Sequence, residues 1–392
     1  MTHSLKAHYS LPSGLHFAAH SHHPRALVTR DATLKCWDDA TRLLDSKWDH
    51  VFGSVIPEAQ RNVAELLSYD YPSHIAFAPN THEFVARLLS VFDAQQPLRI
   101  LTTSSEFLSF SRQINRLKER GNVLVTEVPV VPYRTFAQRL IRAARKGLPY
   151  DLVYFSQVFF DSGFRIDQEI LEDIVTMVGN GHTKIVIDGY HGFCAVPTSL
   201  KNIGGRVFYL AGGYKYAQWG EGACFLCIPP GDPLRPENTG WFATYGLLDT
   251  DKDPYARTQY SDDGFRFWGS TFDPAGLYRL NAIAEWMRHH DISIEMTRGH
   301  VWDLQSYFLD QTTYTDPFRL SNIITPFGES GGNFLSFDLK STQAAKDTVQ
   351  RLSRRGVLVD SRGSVLRIGF GIYHDRKDVD GLMHYIRTSV SA

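Results

Sequence analysis

The sequence predicts an α/β protein, with a large unit built on a mostly parallel sheet and a smaller C-terminal α+β unit. Three observations lead there. Short apolar runs alternate with helical patterns of roughly 10–15 residues through the first half, the spacing of βαβ crossovers. Toward the C-terminus the order changes to strand, helix, strand, strand, helix. The chain has 392 residues and 43% hydrophobic content, enough for two domains or one elaborate unit with a sizeable core.

Taken in order, residues 1–45 show no sheet pattern of their own and are expected to pack on the smaller unit. The large unit is placed at 46–300. In it, Leu98-Arg-Ile-Leu-Thr102 reads as a strand and Phe110 to Arg120 as a helix. Val123 to Val131 reads as a strand, and Thr135 to Lys146 as a helix closed by Gly147. Asp151-Leu-Val-Tyr-Phe155 is a strand, Gln168 to Val178 a helix, and Lys184-Ile-Val-Ile-Asp188 and Arg206-Val-Phe-Tyr-Leu210 are strands. Pro274 to His290 and Ile294 to Gln311 are long helical patterns. The smaller unit, 301–392, follows with strand Asn333–Asp338, helix Thr342–Gly356, strands Val357–Asp360 and Val365–Gly369, and helix Asp378–Val390.

Charge and composition exclude several classes. The 41 basic against 42 acidic residues give a net charge of −1, whereas a nucleic-acid surface needs a clustered basic excess. No apolar run approaches the roughly 18 residues that span a bilayer. Met1 to Ser10 has no apolar core of a signal peptide, so the expected location is the cytoplasm. Cys36, Cys194, Cys224 and Cys227 are too sparse for a disulfide framework in a chain this long. The lone Cys224-x-x-Cys227 lies inside the apolar run Ala223–Ile228, which reads as a buried strand, and no metal is expected.

In this fold class ligands bind at the carboxyl ends of the strands, and strand ends here carry polar groups that a plain core would not need. Asp188 ends an apolar strand, where a carboxylate is costly without a cationic partner. Lys215 follows Val207–Leu210 through Ala211-Gly-Gly-Tyr, with Gly212 and Gly213 expected to let the backbone turn tightly and approach a ligand. A lysine and an aspartate on neighbouring strand ends match the pyridoxal 5'-phosphate (PLP) arrangement, in which the lysine forms a Schiff base and the aspartate keeps the pyridine nitrogen protonated. A surface lysine and a turn-capping aspartate fit the same pair of residues.

The surrounding residues add a resemblance. Asp188-Gly-Tyr-His191-Gly-Phe-Cys-Ala-Val-Pro197 resembles the Asp-x-x-His-x-x-Gly-Ala-Val-Pro segment of class V, fold-type I PLP-dependent enzymes. Gly213-Tyr214-Lys215-Tyr216 resembles the lysine motif of kynureninases in particular. Gly220-Glu-Gly222, Gly240-Trp241, Ser156 to Gly163, and Arg355 through Arg367 to Tyr373 resemble further segments of that family, in the same order. The chain is therefore identified as similar to kynureninase-like members of the class V aminotransferase family.

The resemblance implies roles. Lys215 would carry the aldimine and shuttle the α-proton, with Asp188 on the pyridinium nitrogen and His191 beside the ring. Phe107 would stack on the ring. Thr81 and His82 would open a helix that meets the phosphate, joined by Tyr214. Trp241 and Ser270 or Thr271 would reach that phosphate from the other subunit of a homodimer with shared sites. Arg367 would fork onto the α-carboxylate of an amino-acid substrate. The reaction implied is hydrolytic Cβ–Cγ cleavage. The alternatives are a class V aminotransferase or β-lyase on another amino acid and, more remotely, a non-catalytic binding protein.

The sequence also departs from the family. Ala19-His20-Ser21-His22-His23-Pro24 replaces the family's Asn-Ser-Leu-Gly loop, and His20 and His22 are expected to line the substrate pocket. Phe159 and Phe110 replace a polar Asn and Asp. These changes are expected around the substrate rather than the cofactor.

Overall fold

The computed structural model describes residues 5–146, 149–178, 181–231, 233–245, 257–312, 318–326, 328 and 330–390. Gly147, expected to close a helix, lies outside them. The chain begins with the two-residue strand β1 (Leu15–His16), then α1 (Val28–Leu43), α2 (Lys47–His50) and α3 (Ile56–Leu66), which has Pro57 in its first turn. From there strands and helices alternate as β2 (Ile75–Ala78), α4 (Thr81–Leu89), β3 (Leu98–Thr103), α5 (Leu108–Lys118), β4 (Val123–Val128) and α6 (Phe136–Arg145). They continue through β5 (Leu152–Ser156), α7 (Gln168–Val178), β6 (Lys184–Asp188), β7 (Val207–Gly212) and β8 (Cys224–Cys227).

These strands form one seven-stranded sheet in the order β2-β8-β7-β6-β5-β3-β4. The pairs β4–β3, β3–β5, β5–β6 and β6–β7 are parallel, while β8 runs antiparallel to both β7 and β2. Strands β5 and β7 are buried at every position, because helices cover both faces of a parallel sheet. This is the α/β fold that the alternation predicts. Ile75–Ala78 escapes a sequence reading because a four-residue apolar run has no period to distinguish strand from helix.

Two long helices follow, α8 (Ala275–His289) and α9 (Ile294–Gln311), the second capped by the Ser293 hydroxyl on the Met296 amide at 3.1 Å. Then come β9 (Phe334–Asp338), α10 (Thr342–Ser353), β10 (Val357–Leu358), β11 (Asp360–Arg362), β12 (Val365–Gly369) and α11 (Arg376–Val390). Strands β11, β12 and β9 make a three-stranded antiparallel sheet. Val357–Asp360, expected as one strand, is two. Val357–Leu358 pairs in parallel with β1, and Asp360 turns to pair with Arg367. A second hydrophobic cluster joins α9, β9, β12 and α11 with Phe17 from the N-terminal segment.

That segment divides between two partners. Leu15–His16 pairs with β10, where residues 1–45 are expected to go. Val28–Leu43 instead packs along α8. Among the described residues, no helix is long and apolar enough to cross a membrane.

Candidate active site

The carboxyl ends of β3, β5, β6 and β7 and the start of α4 surround a cavity of about 260 Å³. Lys215, Asp188, His191, Tyr214, Phe107, Thr81 and His82 all line it. The fold therefore brings these seven residues from four separate stretches of sequence to one place. A larger cavity of about 410 Å³, beside Asn62, Arg288 and Ser293, contains none of them.

Asp188 ends β6 and is buried. Its Oδ1 accepts the Tyr190 amide at 3.0 Å, and its Oδ2 accepts the Tyr154 hydroxyl at 2.9 Å. Burial raises its pKa, opposed by the Tyr190 amide, Lys215 and Tyr154. Tyr154 lies flat on Phe110, with ring centroids 3.7 Å apart and planes 5° apart. One step further from the cavity, Glu106 accepts Thr103 Oγ1 at 2.6 Å, Ser156 Oγ at 2.6 Å and the Ser156 amide at 3.1 Å. Burial pushes the Glu106 carboxyl up to about 8.

Lys215 stands three residues past β7, and its Nζ lies 2.8 Å from His191 Nε2. Three rings enclose the amine, with Tyr190 at 4.4 Å and Phe107 and Tyr214 each at 5.6 Å from centroid to Nζ. Burial lowers the ammonium to about 7; Asp188 opposes this and Arg367 adds to it. The His191 imidazole is pushed well below its usual range by burial and then by Lys215 and Arg367. Both groups are thus held toward neutrality, and His191 Nδ1 is buried without a hydrogen-bond partner.

These residues fit a PLP cofactor. A helix start with the Asn80 side chain capping the Glu83 amide at 3.1 Å offers its remaining first-turn amides to a phosphate. A fixed carboxylate, an amine of lowered basicity and an aromatic wall complete the donor set.

Other expected site residues lie elsewhere. Trp241, Ser270 and Thr271 are exposed and do not line the cavity. Arg367 is 2% exposed and engaged by Asp360, with the Phe160 carbonyl accepting Nη1 at 2.6 Å. His20 is fully buried, with Nε2 2.8 Å from Asp360 Oδ1. His22 is exposed and stacks on Tyr214 with centroids 5.0 Å apart. His23 Nδ1 meets the Pro24 carbonyl at 2.8 Å, so the three imidazoles face three different partners.

Two expectations need correction. At Gly212 a Cβ would come within 2.3 Å of Cys224 Sγ, and at Gly213 within 1.9 Å of the Trp219 ring. Both glycines therefore make room for protein side chains rather than for a ligand. Phe159 and Phe110 do not border the substrate space. Phe159 is fully buried against Phe136 and Phe164, and Phe110 braces Tyr154 behind Asp188. Sequence reasoning also missed Tyr154 and Asp360. A signal existed for the first, since a tyrosine in a fully buried strand needs a partner for its hydroxyl.

The profile of the family described as Aminotransferase class-V matches residues 46–382. No curated protein matches the chain by sequence. Among solved structures, the cystine C–S lyase C-DES in complex with its reaction product cysteine persulfide is similar at 16% identity. Its TM-score is 0.80, with 96% of this chain and 98% of that chain covered. Another C-DES structure, with glycine covalently linked to its PLP cofactor, gives 17% identity, TM-score 0.80 and coverage of 96% and 97%. Cysteine desulfurase CsdA from Escherichia coli gives 15% identity, TM-score 0.80 and coverage of 98% and 97%.

Proposed function

The chain belongs to the aminotransferase class-V family of PLP-dependent enzymes, and from that membership we propose that it is a β-lyase acting on a sulfur-bearing α-amino acid. The observation that carries the reading is the Lys215 amine, brought to about 7 in a cavity that also holds Asp188. PLP supplies the electron sink for bonds broken at Cα and Cβ. Asp188, braced by Tyr154 and the Tyr190 amide, would keep the pyridine nitrogen protonated. The start of α4 and Tyr214 would hold the phosphate, and Phe107 would cover the ring. Lys215 takes the proton from the substrate Cα and returns one to the departing sulfur. Phe107, Phe160, Tyr190 and Tyr214 keep water from the reacting atoms.

Cysteine chemistry favours a lyase over a desulfurase. All four cysteines are buried, and burial pushes the one beside the cavity, Cys224, up to about 12. A thiolate is the form that accepts sulfur, so the leaving sulfur departs with its own fragment, as a free product. The reading includes a homodimer in which the partner subunit supplies Trp241 and Ser270 or Thr271.

The comparisons reach class V and give no support to the kynureninase branch. Kynureninase-like hydrolysis remains the second reading, favoured by Gly213-Tyr214-Lys215-Tyr216 together with His191 at Lys215. Incubating PLP-loaded protein with cystine, cysteine and kynurenine separates the two. The lyase releases pyruvate and ammonia from cystine, and Lys215→Ala abolishes that turnover. Alanine from cysteine, or alanine from kynurenine without pyruvate from cystine, would overturn the proposal.

A further inference from the structure

The β11–β12 register sets Asp360 directly opposite Arg367. Asp360 accepts Arg367 Nε at 2.9 Å and also Nη2, while the Phe160 carbonyl accepts Nη1 at 2.6 Å. A guanidinium carries five N–H groups in a fixed fork. Three are used, and one remains on each terminal nitrogen. That pair matches the two oxygens of a planar carboxylate.

Asp360 is fixed in its turn. His20 Nε2 lies 2.8 Å from Oδ1, and Arg362 Nη1 lies 3.5 Å from Oδ2. His20 Nδ1 has no hydrogen-bond partner and faces Gly369, where a Cβ would come within 2.1 Å of it. An Nε2–H tautomer satisfies this site, because the donor is used and the unpartnered atom is a lone pair against a glycine. Burial, with Arg367 adding to it, lowers the imidazole to about 4, so it is neutral. Phe334 ties the group to the cavity wall. Its ring stacks on His20 at 4.8 Å, meets His191 at 5.4 Å and lies 5.9 Å from the Arg367 guanidinium carbon.

We propose that Asp360 and His20 are positioning residues that hold Arg367 by one edge and present its other edge to a substrate carboxylate. His20 then acts through Asp360 and does not read the substrate side chain. The inference rests on the proposed function and on Arg367 as its carboxylate-binding residue, the role that the family resemblance implies.

The test is binding of propanoate against propanamide to PLP-loaded protein by calorimetry, with thermal unfolding as a check of the fold. The wild type prefers the carboxylate. Asp360→Asn, which keeps shape, and Asp360→Glu, which keeps charge but moves it, each weaken propanoate binding about tenfold or more, leaving propanamide unchanged. His20→Leu does the same, and His20→Gln, whose amide N–H reaches the Nε2 position, restores it. With a turnover substrate the change is in KM more than in kcat. Unchanged or tighter propanoate binding in Asp360→Asn would show a bystander or a competing carboxylate and overturn the inference. Arg367→Ala separates the two claims. If it spares propanoate binding, the reading of Arg367 itself fails. If it abolishes binding while the Asp360 variants bind normally, only the positioning role fails.

Discussion

At the scale of single residues, Asp188 and Lys215 are legible because each is a polar exception at the end of an apolar strand. Tyr154 is hidden because, within Leu152–Ser156, it reads as one more buried aromatic. Its hydroxyl is nevertheless half of the support for Asp188, and Phe110 fixes its plane. Tyr154→Phe keeps the stack and removes one hydrogen bond to a buried carboxylate. Such a bond contributes about 1.5–3 kcal/mol, which at ~1.4 kcal/mol per decade is roughly a 10- to 100-fold fall in kcat. Steady-state rates with bound PLP measured in parallel check this. A kcat within about twofold of wild type would show that Tyr190's amide alone holds Asp188. Arg367 was half legible. Its alternation with Leu366 and Ile368 shows that it leaves their face, but its partner depends on hairpin register, which the sequence does not display.

Among elements, the βα alternation was readable, and most boundaries fell within a few residues. What the sequence concealed was long-range pairing. Val357–Asp360 breaks in two because its halves answer to different strands, one of them β1 near the opposite end of the chain. The segment holding β1 is rich in buried imidazoles. Burial lowers His16 and His20 to about 4 and His23 to about 3, and lowers His374, which lies beneath the segment, to about 3. In an opened segment these return toward about 6.5. The closed form then binds fewer protons around and below that value, so closure is at full strength well above pH 6.5 and weakens as pH falls toward about 3. Glu106 and Asp188 stay within the sheet in such an opening and do not affect its slope. Four imidazoles, each half protonated in the open form at pH 6.5 and almost fully at 5.5, cost about 1 kcal/mol apiece over that unit, so closure loses roughly 4 kcal/mol. Hydrogen exchange at the Leu15 and Phe17 amides, which bond to the Gly356 and Leu358 carbonyls at 2.9 and 2.7 Å, reads the opening directly. Protection that does not change with pH, after correction for intrinsic exchange, would rule the mechanism out.

For the whole molecule, the sequence reading reached the fold class and a set of residues that line one cavity, but not the strand order. A crossover helix can set its two strands side by side or several places apart, and only packing of the complete sheet decides which. Assembly is likewise a property of the whole. Trp241 is 48% exposed in this chain, an uncommon place for so large an apolar ring, and Ser270 and Thr271 lie exposed too. If the partner subunit completes the site with these residues, then mixing Lys215→Ala chains with Trp241→Ala chains, each inactive alone, restores up to about a quarter of wild-type activity. This follows from random pairing, in which half the dimers are mixed and each has one intact site. Subunit exchange shown by mass without any regain of activity would count against a shared site.

The pairing of β1 with β10 also orders events in time. A chain is made from its N-terminus, and large proteins fold unit by unit as they emerge. The seven-stranded sheet, with Asp188 and Lys215 at the carboxyl ends of its central strands, can form while the last strands are still being made. Leu15–His16 must wait for Val357–Leu358, and His20 for Asp360. The cavity that holds Asp188 and Lys215 is thus ready early. The end that would recognise a carboxylate is completed only when Val357–Asp360 returns to Leu15–His20.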